Sequence, residues 1–312
     1  TTTGTNAQTG GIELIRYESR AGNKLSGVQR AQTLPGNDAQ INNSFFQAGT
    51  QRQFVCDWEQ WTVNGAGGGG SGTIFFDNLS ILFPEGERFF IASIRAHLSE
   101  VTDPELRSAV RLFCGQEAMH GREHERMNAM IDAHGYPAAQ LDARLKDLLG
   151  FVQKVLPKRM QLAATCALEH YTALLGDLIL SNPEVMAQAH PEMRRLWLWH
   201  AAEESEHKAV AFDVYKAAGG NTLERGAVMV LATVIFWAVL FEQQVRLMHA
   251  DGIAASPKEW VKLGRFMFGK PARLQRLAGP LLDYFRPSFH PWDHDNRPVL
   301  EAWLHGHTAA AA

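Results

Sequence analysis

The sequence predicts a mainly α-helical protein, most of it a four-helix bundle with additional C-terminal helices. Two observations carry this prediction. From about Thr73 onward, apolar residues recur at helical spacing between residues that start or break helices. Four of these segments also carry a glutamate among apolar neighbours. The 312 residues suffice for one large domain or two modest ones, and the formal net charge of -3 gives no indication of nucleic-acid binding.

The N-terminal part differs from the rest and predicts a small β-rich or irregular segment. Residues 12–17 alternate apolar and polar side chains, and Gly22-Asn23 indicates a turn before residues 25–28. Residues 65–72 are almost entirely glycine, which is typical of a flexible linker. We therefore predict three parts: a segment over 1–64, a linker over 65–72 and a helical domain over 73–312.

Proline and capping residues set the predicted helices of this domain. A short apolar lead-in precedes Pro84, which suits the first turn of a helix, and Asp103-Pro104 is a capping pair for the next. Pro157 ends a connecting helix, and Gly219-Gly220 closes the last helix of the bundle. The predicted helices span residues 84–101, 104–134, 138–156, 158–180 and 191–218.

The motif Glu-x-x-His occurs twice, as Glu117 with His120 and as Glu204 with His207. Residues three apart in a helix lie on one face, one turn apart, so a carboxylate and an imidazole at this spacing can reach one metal ion. A single copy is weak evidence, because glutamate and histidine are common on solvated helix faces. Two copies flanked by large apolar residues indicate a metal site.

Two other helical segments each supply one glutamate, Glu87 and Glu169. Two lone glutamates plus two Glu-x-x-His motifs are the ligand set of carboxylate-bridged metal pairs in four-helix bundles. Carboxylate and imidazole donors without thiolates suit two iron ions, with manganese or zinc as alternatives. The predicted metal ligands are Glu87, Glu117, His120, Glu169, Glu204 and His207.

Each motif carries a further histidine on its ligand face, His124 in the first and His200 in the second. Three roles remain open for these two side chains: an extra metal ligand, proton transfer, or packing. Glu203 also remains open, since it could reach the side of His207 at a spacing of four residues. The predicted catalytic residues are Glu117, Glu204, His124 and His200.

The chain from about residue 75 to 303 resembles a bacterial family of predicted metal-dependent hydrolases, a relative of the ferritin-like proteins. The resemblance lies in LFPEGERFF (82–90), GQEAMH (115–120), LEHYT (168–172), WHAAEESEHK (199–208) and FHPW (289–292). It implies a ferritin-like fold for the bundle and metal-dependent chemistry. The first 72 residues fall outside it.

Three functions fit the predicted site. The leading hypothesis is a di-iron oxygenase or hydroxylase that takes electrons from a donor and acts on a small apolar substrate. The second is a hydrolase that uses a metal-activated water, and the third is iron binding without catalysis. The charge-free stretch 226–241 predicts a buried helix, with an interfacial anchor as the alternative. This helix, with Trp197, Trp199 and Phe113, is a candidate wall of the substrate cavity.

The remaining predictions concern the setting of the protein. Three cysteines without a CxxC motif, and no recognisable signal peptide, favour a reducing, cytoplasmic location. We expect no transmembrane span, at most weak contact with a membrane surface, and a homodimer. His290 and His294 near the C-terminus offer a weak second metal site.

Overall fold

A computed structural model describes residues 70–270 and 272–310, together with the backbone of two N-terminal strands; it describes no side chains in these strands or in residues 304–310. Strand β1 (Ile15–Ala21) pairs antiparallel with β2 (Lys24–Arg30), in agreement with the predicted β-rich segment. The other predicted features of residues 1–64, and residues 65–69 of the predicted linker, lie outside the described part of the chain.

Helices make up most of the described chain from Ser71 onward, which confirms the mainly α-helical prediction. The α-helices are α1 (Ser71–Arg95), α2 (Pro104–Ala133), α3 (Ala138–Val155), α4 (Lys158–Ser181), α5 (Pro191–His207), α6 (Val210–Ala217), α7 (Thr222–Ala250), α8 (Pro257–Phe268), α9 (Ala278–Asp283) and α10 (Arg297–Ala310).

Four helices pack around one another at the centre of the molecule. Helix α1 packs on α2 and α4, and α5 completes the set by packing on α4 and α2. Helix α3 covers α1 and α2, while α7 lies against α4 and α1. The central four are the helices for which the sequence predicts metal ligands.

The core is divided into two main apolar clusters with a polar layer between them. In α1, Glu87 lies between Ile81 of one cluster and Phe89 of the other. Helix α2 crosses the same layers in the opposite order, with its Glu-x-x-His motif between Phe113 of the second cluster and Met127 of the first. The two apolar clusters therefore hold the predicted ligands inside the protein, away from both ends of the bundle.

Helix α1 begins at Ser71, so the predicted start at Pro84 is wrong. Pro84 lies inside a helix that continues through it and ends at Arg95. The apolar lead-in is helical because Ile74 and Ile81 are fully buried, and this burial outweighs the local penalty of the proline. The first turn also takes in Ser71 and Gly72, which the predicted linker had included.

The capping signals elsewhere predict the helices well, with one exception. The Asp103 side chain accepts a hydrogen bond from the Glu105 amide at 2.9 Å, as expected of an N-cap. The predicted continuous helix over 191–218 is instead interrupted after His207. The interruption coincides with buried Lys208, whose Nζ donates to the His294 carbonyl oxygen at 2.6 Å. Gly219, with φ at +73°, follows the end of α6.

Helix α7 is longer than the predicted 226–241, and only one of its faces is buried. The buried face is held by Asn78, whose Nδ2 donates to the Leu240 carbonyl oxygen at 2.7 Å. Within the described chain, α7 is the helix that is long and apolar enough to cross a membrane by length and composition. Only 28% of an apolar 18-residue stretch of this helix is buried in the protein. The prediction of a buried helix therefore fails for the outer face, because a charge-free sequence does not reveal which side packs.

Candidate metal centre

The structure brings the six predicted metal ligands together in the middle of the bundle. Each is at most 2% exposed to solvent. They come from four helices: Glu87 from α1, the first Glu-x-x-His motif from α2, Glu169 from α4 and the second motif from α5. The helical spacing that predicted a shared face for each motif is therefore realised.

Imidazole and carboxylate groups alternate across this cluster. His207 lies between two glutamates, with its Nε2 3.1 Å from Glu117 Oε1 and its Nδ1 3.2 Å from Glu169 Oε2. His120 Nδ1 lies 3.5 Å from Glu204 Oε1. Ligand atoms from separate helices thus converge within the reach of one or two cations.

The ligand atoms form two overlapping groups, within each of which all atoms lie within 4.8 Å of one another. One group consists of Glu117, His120, Glu204 and His207, and the other of Glu87, His120 and His200. Since His120 belongs to both, the two groups adjoin. His200, left open between ligand and proton-transfer roles, is here a member of the second group.

Although His207 lies within ion-pair distance of Glu117 and Glu169, most of these buried polar atoms have no partner in hydrogen-bond geometry. This holds for both carboxylate oxygens of Glu87, Glu117 and Glu169 and for both ring nitrogens of His120 and His207. Each unpaired buried polar group costs about 1–3 kcal/mol, and more when charged. Buried polar atoms are normally paired, so this cluster is incomplete as protein alone. Its carboxylate and imidazole donors fit a transition-metal cation such as iron, manganese or zinc.

The glutamates also affect one another's ionisation. Burial, followed by repulsion from neighbouring carboxylates, raises the pKa of Glu87 and of Glu117 well above the ordinary value. The same causes raise the pKa of Glu169 to about 7. A cation would offset both effects by supplying positive charge in the dry interior. Binding of a metal ion at this site would therefore be coupled to proton release.

Glu204 and His207 show the opposite balance. Burial alone would raise the pKa of Glu204, but His200 and His207 outweigh it and lower the pKa to about 2. Burial would likewise lower the pKa of His207, but the adjacent Glu117 carboxylate outweighs it and the pKa is raised. Glu204 is therefore the one predicted ligand carboxylate whose pKa is lowered, whereas the pKa values of Glu87, Glu117 and Glu169 are raised.

An apolar cavity of about 310 Å³ reaches this cluster. Glu87, His200 and Glu204 lie among its lining residues, and the remaining lining is almost entirely aliphatic and aromatic. The exposed lining side chains Phe151 and Val155, from α3, mark its mouth beside α7. The volume lies in the range of small-molecule sites, about 300–1,000 Å³.

An ion pair joins the walls at each end of this mouth. Arg144 of α3 pairs with Glu242 of α7 at 3.1 Å. At the other end, Arg159 at the start of α4 pairs with Glu224 of α7 at 2.9 Å. The exposed lining residues Phe151 and Val155 of α3 and Leu231 of α7 place the mouth as a slot between these two helices.

Comparison with protein families identifies the chain's relatives. The model of a family described as "Predicted metal-dependent hydrolase" matches residues 50–295. The chain belongs to this family. The match begins at residue 50, earlier than the start near 75 that the resemblance indicated. No curated protein and no solved structure matches the chain.

In this family member, a chain of hydrogen-bonding side chains leads away from the cluster. His200 Nδ1 and His124 Nε2 lie 2.8 Å apart, and His124 Nδ1 lies 2.8 Å from the Ser80 hydroxyl. Ser80 in turn donates to Asn128 Oδ1 at 2.8 Å. Burial lowers the pKa of His124 well below its ordinary value. His124 therefore lies behind His200, outside the cavity lining.

Several side chains around the ligands were not assigned from the sequence. Glu203 Oε2 lies 3.0 Å from His120 Nε2, and its Oε1 accepts a hydrogen bond from Trp199 Nε1 at 2.8 Å. The i,i+4 spacing had suggested His207 as its neighbour. A Cβ on Gly121 would lie 2.9 Å from Glu87 Oε2, so this glycine makes room for the predicted ligand Glu87. No sequence pattern marks Ser80, Asn128 or Gly121, because their partners lie on other helices.

The predicted aromatic cavity wall is realised in part. Trp197 lines the cavity, as do residues of α7 between Val228 and Val239. Trp199 and Phe113 instead pack against two predicted ligands, with ring centroids 4.8 Å from those of His120 and His207, respectively. These two rings shield the imidazoles and do not line the cavity.

The two C-terminal histidines that suggested a second metal site each contact one carboxylate. His290 Nε2 lies 3.1 Å from Asp213 Oδ1, and His294 Nε2 lies 3.1 Å from Asp283 Oδ2. Among the described residues, neither histidine belongs to a group of three or more converging ligand atoms.

Proposed function

We propose that the protein is a metal-dependent hydrolase that cleaves an ester or amide bond in a small, largely apolar substrate. Glu87, Glu117, His120, Glu169, Glu204 and His207 would hold two metal ions. The observation that carries this proposal is the apolar cavity that ends at Glu87, His200 and Glu204. The family description points to the same reaction class.

The side chains of this chain have separable roles in such a reaction. Bound metal ions would polarise the substrate carbonyl and lower the pKa of water. His200 lines the cavity and can pass a proton from its Nδ1 to His124 Nε2. Ser80 orients His124, and the apolar walls exclude bulk water from the substrate chain. Glu117 and His124 do not line the cavity. We therefore assign Glu117 a ligand role only, and His124 the role of accepting the proton from His200.

Ester hydrolysis as a function of chain length tests the proposal. With metal-reconstituted protein and p-nitrophenyl esters, each methylene buried in the cavity should raise kcat/KM by about fourfold, until the cavity is full. Ala232→Phe, which fills the cavity lining, should shift the optimum to shorter esters. Ala227→Phe, at an exposed position of the same helix, should leave it unchanged. No metal-dependent hydrolysis of any ester or corresponding amide would refute the proposal.

The ligand arrangement favours a second candidate, an O₂-dependent di-iron oxygenase supplied by an electron donor. Two lone glutamates and two Glu-x-x-His motifs on four helices match the ligand pattern of di-iron carboxylate bundles. Oxygen dependence separates the two candidates. Ester hydrolysis by the hydrolase should proceed equally with and without O₂. Substrate-dependent O₂ consumption by the reduced, iron-loaded protein would instead favour the oxygenase.

A further inference from the structure

Helix α7 presents a continuous apolar face to solvent. Its exposed side chains from residue 223 to 241 follow helical spacing and include no charge: Leu223, Ala227, Val230, Leu231, Val234, Trp237, Ala238 and Phe241. Val234 is 63% and Phe241 62% exposed. At 1.5 Å per residue the face is about 27 Å long. Soluble proteins rarely expose so large a contiguous apolar patch without a partner.

Neighbouring elements extend this face at both ends and along one side. Phe151 and Val155 of α3, both exposed, border it at the cavity mouth. The Phe241 ring lies 5.8 Å from that of Trp260 in α8. Phe285, which is 39% exposed, lies against Gly226. The apolar face and the entrance to the cavity are therefore one surface.

Exposed cations lie beside this surface. Lys154 and Lys158 flank Val155 at one end of the cavity mouth. At the other end, α8 alternates basic and apolar side chains on its exposed face: Lys258, Val261, Lys262, Arg265 and Phe268. A helix with a mixed basic and apolar outer face is typical of contact with an anionic lipid surface.

Helix α7 cannot leave the protein to cross a bilayer by itself. Its inner face buries Leu240, Gln243 and Leu247. Gln244 Nε2 donates to the Ser71 carbonyl oxygen at 3.1 Å, which ties α7 to the start of α1. The helix is therefore part of the bundle on one side and apolar on the other, an arrangement that suits contact along a membrane surface.

We propose that this face of α7 binds the surface of an anionic phospholipid bilayer, with the slot between α3 and α7 opening onto the lipid. A bilayer would bury the uncharged side chains of this face, and its anionic head groups would attract the lysines beside it. The cavity would stay open to apolar molecules dissolved in the membrane. If two copies of the chain instead paired through this face about a two-fold axis, the cavity mouth would face the partner chain and not the lipid. The binding does not depend on the proposed hydrolysis and is measured without substrate.

Flotation with vesicles tests this binding. Full-length protein should float with vesicles of phosphatidylcholine containing phosphatidylglycerol, and less with phosphatidylcholine alone. Val234→Glu should lower the partition coefficient by about tenfold or more, since it places a charge in the centre of the apolar face. The double change Lys154→Glu and Lys158→Glu should lower binding to the anionic vesicles by about tenfold or more. Ala129→Glu, at an exposed position of α2, is the matched control and should bind as the wild type does.

Three results would overturn the proposal. The first is wild-type protein that stays in solution with both vesicle types. The second is binding by Val234→Glu that equals that of the wild type. The third is a wild-type dimer, measured by analytical ultracentrifugation, that Val234→Glu converts to monomers, because the face would then be an interface between two copies. Hydrolysis of water-soluble short-chain esters is assayed separately, so failure of membrane binding and failure of the proposed activity are distinguishable.

Discussion

The buried carboxyl of Glu203 provides a quantitative test of the electrostatics around the ligands. Burial raises its pKa from an ordinary 4.5 to about 7, against the lowering effects of His207 and the Trp199 hydrogen bond. Because its pKa is higher in the folded than in the unfolded protein, folding favours the protonated form. That contribution to stability is fully present below pH 4.5 and is lost as the pH rises through 7.

Replacing Glu203 by glutamine isolates this contribution. In metal-free protein, the free energy of unfolding of the wild type relative to Glu203→Gln should fall by about 1.4 kcal/mol per pH unit between the two pKa values. Over the interval from 4.5 to about 7, the loss amounts to about 3 kcal/mol. Urea unfolding at a series of pH values, after dialysis against a chelator, measures this difference directly.

Two comparisons make the result decisive. Glu184 is exposed, so the difference in free energy of unfolding between Glu184→Gln and the wild type should not change with pH. In metal-loaded protein, positive charge beside His120 and Glu203 should lower the pKa of Glu203. The difference in free energy of unfolding between the wild type and Glu203→Gln should then change less with pH. A pH-independent difference between metal-free wild type and Glu203→Gln would refute the assignment of Glu203 as a buried, proton-binding group.

Three further predictions concern the ligands and the packing of their helices. Gly121→Ala should displace Glu87 and weaken metal binding by about 10–100-fold, measured by competition with a chelator. Gly150→Ala is the control, because its Cβ would meet no neighbouring atom and metal affinity should not change. Equal metal affinities of the two variants would contradict the assigned role of Gly121. Gly176→Ala should lower the free energy of unfolding by about 1–3 kcal/mol, because its Cβ would lie 2.9 Å from the Ala201 carbonyl oxygen. Urea unfolding measures this loss, and an unchanged midpoint urea concentration would contradict the close packing. Metal affinity should rise as the pH passes through about 7, because Glu169 must lose its proton before it binds a cation; affinity independent of pH across this range would exclude Glu169 as a ligand.

Local spacing predicted the ligand-bearing faces because a helix has a fixed geometry. Glu117 with His120, and Glu204 with His207, lie three residues apart in the chain, so their common face follows from the helical period alone. The capping pair at Asp103-Pro104 was equally local and correctly marks the start of α2. The i,i+3 motifs therefore carried more information than any other feature of the sequence.

Other features depend on contacts between distant parts of the chain and could not be predicted in this way. Pro84 suggested a helix start, but the burial of Ile74 and Ile81 among other helices extends α1 beyond it. The contact between Ser80 and His124 joins residues 44 positions apart. The exposed face of α7 could not be recognised either, because a buried helix and a lipid-facing helix share the same apolar composition.

The metal content of the purified protein tests the central claim most directly. Wild-type protein reconstituted with iron, manganese or zinc should hold about two ions per chain by elemental analysis, as expected of a two-metal site. A double variant, Glu117→Ala with His207→Ala, should lose them, while His249→Ala, at an exposed position of α7, should keep both. Folded wild-type protein that retains none of these metals after reconstitution and desalting would contradict the account.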